Sequence, residues 1–490
     1  MGDVAVVGGT GFLGRHVCAA LREAGRGVRV LSRRSGCDAR TLSADALRGC
    51  EAVVNLAGIK REQGDQTFQS VHVDLVARLL EAMKGAGIRR LVHISVVVAR
   101  PDPTLPYHDT KHRGEELVRG SGLDWTILRP GVIYGVGDDL LSHLSLMLRV
   151  APLFPIVNDG RAPMMPVHAG DVARAVAVAL ERPESAGKTL DVVSPDRLEL
   201  RDVVRRTAEA LGLPVRILPT PVGLMKLPVG LMEATMTQPL STRAQLAMLV
   251  EGLAGDPGPA REILGLTPAP FTPERLRPLL TASGLMPARE IPAGAGLGLY
   301  AASLLLLTAA FRGPLAPWKG MTVAMGLLLA ASLALSAVRR RIVPTFGRVG
   351  LGLAAGAVLY GLTQAGVLIF RAAWPGWESH ARALSAWKEG YSAPFLWITL
   401  LMIVVVEEAF WRGVISRFAS ERLGAALGIV AGAALYALAH AATMNPLLLG
   451  AAFGCGLYWG LLAAATDDLT APIVSHLVWD VMVMFVTPLV

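Results

Sequence analysis

Two adjacent glutamates, Glu407 and Glu408, and an arginine, Arg412, interrupt the run from Phe395 to Ile415, which is otherwise apolar enough to span a membrane. A carboxylate at that depth costs several kcal/mol, so such residues face polar cavities and mark functional sites. Two neighbouring apolar segments carry polar pairs at the same spacing, Tyr436 with His440 and His476 with Asp480. Residues four apart share one helix face, so three helices can aim these groups at a common point. The Glu408-to-Arg412 order is the favourable one and neutralises one carboxylate, leaving Glu407 free for other work. A carboxylate beside an imidazole can hold and deprotonate a water, and a second imidazole beside an aspartate can stabilise an oxyanion or bind a metal. Hydrolysis inside a membrane is the chemistry this pattern expects. The plainer alternative is that the pairs are hydrogen-bonding glue between the helices of a transporter or scaffold.

The elements that must position these groups are apolar helices. Candidate spans run from Leu297 to Phe311, Met321 to Val338, Val349 to Phe370, Phe395 to Ile415, Leu423 to Ala442, Leu447 to Ala465 and Ile473 to Leu489, about seven or eight in all. The whole chain has 490 residues, 52% of them hydrophobic, and a mean hydropathy of +0.47, too apolar for an ordinary soluble protein. Only 12 of the 47 Lys and Arg and 8 of the 39 Asp and Glu fall after Ala293, so both parts carry similar net charge and the total of +8 is no nucleic-acid footprint. The basic run Arg339-Arg340-Arg341 with Arg348 is expected on the cytoplasmic side, which puts the N-terminal part there too. Trp374, Trp377 and Trp387 suit an interfacial helix on the opposite side. The cysteines Cys18, Cys37, Cys50 and Cys455 have no metal spacing and suggest no disulfide framework. The composition, rich in Ala, Gly and Arg, suits a bacterial inner-membrane protein.

The N-terminal part reads differently. Val4-Ala-Val-Val7 is a buried-strand pattern that runs into Gly8-Gly-Thr10-Gly11-Phe12-Leu13-Gly14 and then a helical stretch from Arg15 to Ala24. Strand, glycine turn and helix form a site for a dinucleotide pyrophosphate at the helix N-terminus. After the second strand, Ser32, Arg33 and Arg34 stand where an acidic residue would hold a ribose 2′-hydroxyl, which favours NADP(H) over NAD(H). Ala52-Val-Val-Asn55-Leu56-Ala57-Gly58, Leu91-Val-His-Ile-Ser95, Tyr107-x-x-x-Lys111 and Leu128-Arg-Pro-Gly-Val-Ile-Tyr134 follow at alternating strand and helix spacing. The expected architecture is an α/β Rossmann-type doubly wound domain over residues 1–285, a linker at 286–296, and an all-α polytopic membrane domain over 297–490. The Pro-rich region from Asp202 to Leu280, including Pro239, reads as a capping subdomain without nameable chemistry.

The motifs carry two family resemblances. Glu407-Glu408-Ala-Phe-Trp-Arg412, Tyr436-Ala-Leu-Ala-His440 and His476-Leu-Val-Trp-Asp480 resemble the EExxxR, FxxxH and HxxxN/D motifs of the CPBP intramembrane proteases, which include the type II CAAX prenyl endopeptidases. That resemblance implies that Glu407 and His440 activate a water while His476 and Asp480 stabilise the tetrahedral intermediate. It also implies, as an alternative, a zinc held by Glu407, His440 and His476, although no HExxH spacing is present. The N-terminal motifs resemble the atypical or extended short-chain dehydrogenases, close to the dehydrogenase-like accessory subunit of respiratory complex I. By that resemblance Tyr107 is a general acid whose pKa Lys111 lowers, but Val96, Val97 and Val98 follow Ser95 where active members place a hydroxyl. Two expectations follow for this domain, reduction of a small carbonyl substrate or nucleotide binding without turnover. For the chain, the leading expectation is a peptidase acting on a membrane-associated protein or peptide. A membrane-anchored NADP(H)-dependent oxidoreductase and a non-enzymatic scaffold or immunity protein are the alternatives.

Overall fold

The computed structural model describes residues 2–33, 42–151, 153–235, 241–287, 290–374 and 376–487. Arg34, Cys37, Pro239 and Leu489, named above, lie outside them. The chain divides into two compact units, one of residues 1–148 with 153–286, the other of 149–152 with 287–490.

The first unit is built on a six-stranded parallel sheet. Its strands are β1 (Asp3–Val7), β2 (Val28–Leu31), β3 (Cys50–Asn55), β4 (Arg90–Ile94), β5 (Asp124–Pro130) and β7 (Lys188–Val192), in the order β7-β5-β4-β3-β1-β2. Short runs rich in Val, Ile and Leu, buried on both faces by helices, give this architecture rather than an alternating sheet. Strand order reverses between β1 and β3, and open α/β sheets bind ligands in the crevice at that switch, outside the strand C-termini. Helix α1 (Phe12–Glu23) leaves β1 there, and α2 (Pro106–Arg119) starts beyond β4 with Pro106 in its first turn, where the missing N–H costs nothing. A smaller parallel pair, β6 (Leu153–Val157) with β8 (Arg216–Thr220), leads into α3 (Val222–Thr235).

The second unit is helical. Among the described residues, six helices are long and apolar enough to cross a membrane: α4 (Ala293–Arg312), α5 (Pro317–Ala334), α6 (Phe346–Ala373), a continuous helix over Ala393–Leu423, a helix over Ala425–Thr443, and α9 (Pro446–Thr466). Thr470–Val486 is apolar but shorter. Within these, α7 is Ala393–Glu407, α8 is Ala425–Ala439 and α10 is Thr470–Val481. The Trp-rich stretch forms a short helix, Trp377–Ser385. Small residues let the helices close. A Cβ at Gly352 or Gly356 of α6 would stand 2.6 and 2.7 Å from the Cβ atoms of Val474 and Val478, so only glycine permits α10 to lie this near. That contact fixes the helix carrying His476 and Asp480.

Candidate active sites in the two units

In the helical unit the six polar residues expected to converge do so. The geometry departs from a plain α-helix: from Glu408 to Ser416 the backbone is π-helical, and all nine residues are buried. Such widened turns recur at functional sites because they re-aim side chains that a regular helix would spread differently. Glu407, Glu408, Arg412, His440 and His476 are each 5% exposed or less.

Glu407 is the hub. Its Oε2 accepts a 2.7 Å hydrogen bond from the Tyr436 hydroxyl, its Oε1 lies 3.8 Å from His440 Nε2, and its Oε2 lies 3.9 Å from His476 Nε2. His440 Nδ1 is 2.9 Å from the Tyr436 carbonyl oxygen. A carbonyl only accepts, so Nδ1 carries a proton and Nε2 is the nitrogen that faces Glu407. A separation of 3.8 Å is too long for a direct hydrogen bond and short enough for both atoms to reach one water oxygen.

Glu408 does not belong to Arg412 alone. Its Oε1 is 3.2 Å from Arg412 Nη1 and also 2.8 Å from His476 Nδ1. The expected pairing of His476 with Asp480 is present but longer, Nε2 to Oδ2 at 3.5 Å. His476 is thus oriented by Glu408 on one nitrogen and faces Glu407 and Asp480 with the other. Two aromatic rings complete the setting. Trp459 stacks on His476 with centroids 3.7 Å apart, and the Arg412 guanidinium sits 4.6 Å over Tyr436 and 5.2 Å over Trp459. Arg412 Nη1 is taken by the Glu408 ion pair, whereas Arg412 Nη2 is buried without a hydrogen bond among the described residues. A charged donor left open in this way suits an oxyanion. Sequence reasoning named Tyr436 only for its spacing and missed Trp459, which sits in an apolar helix without a distinguishing signal.

The zinc alternative finds no support. Among the described residues, no three His, Cys, Asp or Glu side chains are arranged to hold a metal ion.

In the first unit the glycine turn forms at the switch point. Gly8 has φ +82°, a left-handed conformation that favours glycine, and a Cβ at Gly14 would stand 2.4 Å from the Gly8 carbonyl oxygen, so α1 can start this close to β1 only without a side chain. Thr10, Gly11, Phe12 and Leu13 lie on this turn and the start of α1, with Gly11 as its N-cap. Ser32 is buried and Arg33 exposed after β2. Leu56, Ala57 and Gly58 follow β3, and the Ala57 N–H bonds to Asn55 Oδ1 at 3.1 Å.

Tyr107 and Lys111 lie one turn apart on α2. A Cβ at Gly58 would be 3.5 Å from Lys111 Nζ, which donates 3.1 Å to the Ile94 carbonyl. Burial pushes the Lys111 ammonium down to about 8 and the Tyr107 phenol up to about 12. Burial is the leading cause of both shifts. Val96 and Val98, which follow Ser95, are buried in the core. A histidine that the sequence did not single out ties the site together. His72, on a π-helical turn at Ser70–Asp74, accepts from the Ile59 N–H at 3.2 Å through Nε2 and meets Thr110 Oγ1 at 3.0 Å through Nδ1. Burial, then the Lys111 charge, push it down to about 2, so it stays neutral and locks the loop after β3 to α2.

Comparison with known proteins gives two separate matches. Residues 4–193 match the NAD dependent epimerase/dehydratase family, and residues 389–482 match the type II CAAX prenyl endopeptidase Rce1-like family. A ceramide reductase of Caulobacter vibrioides is 28% identical over 233 residues, covering 44% of this chain and 73% of that protein. The NADH dehydrogenase [ubiquinone] 1 alpha subcomplex subunit 9 of Rattus norvegicus is 29% identical over 222 residues, covering 41% of this chain and 59% of that protein. The chain thus spans less than two thirds of the latter's length. Among solved structures, MoeE5 in complex with UDP-glucose and NAD is 24% identical with a TM-score of 0.46, covering 58% of this chain and 99% of that one.

Proposed function

For a chain that joins an N-terminal NAD dependent epimerase/dehydratase domain to an Rce1-like protease domain in a multi-pass membrane protein, we propose an intramembrane endopeptidase whose hydrolytic groups are Glu407, Glu408, Arg412, His440, His476 and Asp480. The observation that carries this reading is the convergence of these groups around Glu407, with His440 Nε2 3.8 Å away. Glu407, helped by His440, takes a proton from a water as its oxygen attacks the peptide carbonyl carbon. Arg412 and the His476–Asp480 pair offset the charge that develops on the carbonyl oxygen. The C–N bond then breaks as the proton passes to the leaving amine. Glu408 holds His476 through Nδ1, and Tyr436 holds Glu407, so neither reacting group has to reorganise. The substrate is a membrane-associated protein or peptide. Cleavage of a fluorogenic peptide library by the full chain in proteoliposomes, abolished in Glu407→Gln and His440→Ala, tests the assignment.

The N-terminal domain binds a nicotinamide cofactor in this reading, with Gly8, Gly11 and Gly14 at the pyrophosphate, Arg33 and Arg34 toward a 2′-phosphate, and Lys111 at the ribose. NADP(H) is favoured over NAD(H). When bound, the cofactor supplies hydride chemistry. The role proposed is regulatory or sensory rather than turnover, supported by a Tyr107 phenol pushed up to about 12 and by the valines after Ser95. The similarity to a ceramide reductase favours the second reading, an NADP(H)-dependent reductase of an apolar carbonyl compound anchored at the membrane. NADPH oxidation lost in Tyr107→Phe and kept in Glu407→Gln would decide for it. The domain is proposed to lie in the cytoplasm beneath a bacterial inner membrane, on the side of Arg339–Arg341. The functional boundaries proposed are 1–285, 286–296 and 297–490.

A further inference from the structure

Apart from Lys226 and Glu233, which is paired with Arg243, helix α3 is apolar, yet it lies on the surface of the first unit. Its inner face, Val222, Met225, Val229 and Met232, packs on the core that includes Phe154 and Ile156. Its outer face repeats the same spacing with Leu224, Leu227 and Leu231, which are 59%, 72% and 65% exposed in the full chain. The pair β6 and β8, which leads into α3, carries two more exposed leucines. Phe154 and Ile156 point inward, while Leu153 and Leu218, paired across the register with Arg216 and Pro155, point out and are 55% and 51% exposed. Large leucines gathered this way exceed the scattered apolar exposure of an ordinary surface and call for a partner. Lys226 and Arg216 are exposed beside them.

The attachment of this unit says which partner. It ends at residue 286 and the first membrane helix begins at Ala293, so the six intervening residues reach no further than about 25 Å. A leucine face with basic residues at its rim, tethered that closely to a bilayer, has the composition of an interfacial helix that buries its apolar side at the boundary between head groups and acyl chains. We propose that the outer face of α3, with Leu218 beside it and Lys226 at its rim, seats in the head-group layer of the bilayer that holds the spans and attracts its anionic lipids. This docking does not depend on either enzymatic reading.

The test uses the full chain in its native membrane, with a photoreactive benzoylphenylalanine introduced at position 227, at Leu305 as the lipid-facing standard, or at the exposed Arg48 of the same unit as background. Leu305 is 73% exposed on a membrane helix. After irradiation, mass spectrometry should find phospholipid adducts at 227 several-fold above those at 48 and approaching those at 305, with anionic lipids over-represented. An adduct to a second copy or to another protein, or a lipid yield at 227 equal to that at 48, would overturn the proposal.

Discussion

Replacing Tyr436 with Phe removes one oxygen from the helical unit and leaves the ring in place. The lost group is the hydroxyl that donates 2.7 Å to Glu407 Oε2 from a residue only 5% exposed. The ring keeps its contacts with Arg412, His440 and Trp411, so packing is little changed. A hydrogen bond to an ionised carboxylate is worth about 1.5–3 kcal/mol. If Tyr436 holds Glu407 in the orientation that serves His440 and the water, that energy is lost from the transition state, and the rate falls about 10- to 150-fold. The fall should appear in kcat, with KM nearly constant, because the hydroxyl is engaged by Glu407 and not by the peptide. The assay is initial-rate cleavage of one established peptide by wild type and Tyr436→Phe in the same lipid, with thermal stability measured alongside. A kcat within twofold of wild type, at equal stability, would refute the idea that this hydroxyl positions the general base.

Other outcomes follow from the same geometry. Gly14→Ala places a Cβ 2.4 Å from the Gly8 carbonyl oxygen and should cost about 1–3 kcal/mol in the first unit, with loss of nicotinamide nucleotide binding by calorimetry. Lys111, held at about 8 against an ordinary 10.5, is protonated on unfolding across that interval, so the stability of the first unit should rise between pH 8 and 10.5 by up to about 3 kcal/mol. Lys111→Met should abolish that rise in melts followed against pH. Gly356→Leu should push α6 from α10, where a Cβ already lies 2.7 Å from Val478, and should lower peptidase activity through the displaced His476.

What the sequence disclosed and what it withheld have physical causes. The glycine turn after Val7 was readable because its geometry is local: a strand, a left-handed Gly8 and a helix start that excludes a side chain at position 14. The parallel sheet followed from apolar strands alternating with helices, and the membrane helices from length and composition alone. The i,i+4 spacing of Tyr436 with His440 and His476 with Asp480 identified which faces would meet. It did not reveal which partners would be nearest. His476 lies closer to Glu408 than to Asp480 because the π-helical stretch and the close approach of α10 are set by packing between distant helices. Trp459 and His72 were silent for the same reason, since neither residue differs in type or period from an ordinary core position. Among the described residues the spans are six long helices and a shorter seventh, because Thr470–Val486 is brief for a bilayer even though its apolar character is plain.

The most direct test of the central claim compares all peptide termini in membranes from cells making wild type or Glu407→Gln at matched, folded levels. The account predicts new termini from membrane-associated proteins that appear only with wild type. Identical terminal profiles would contradict it, and the catalytic reading of the cluster around Glu407 would fall.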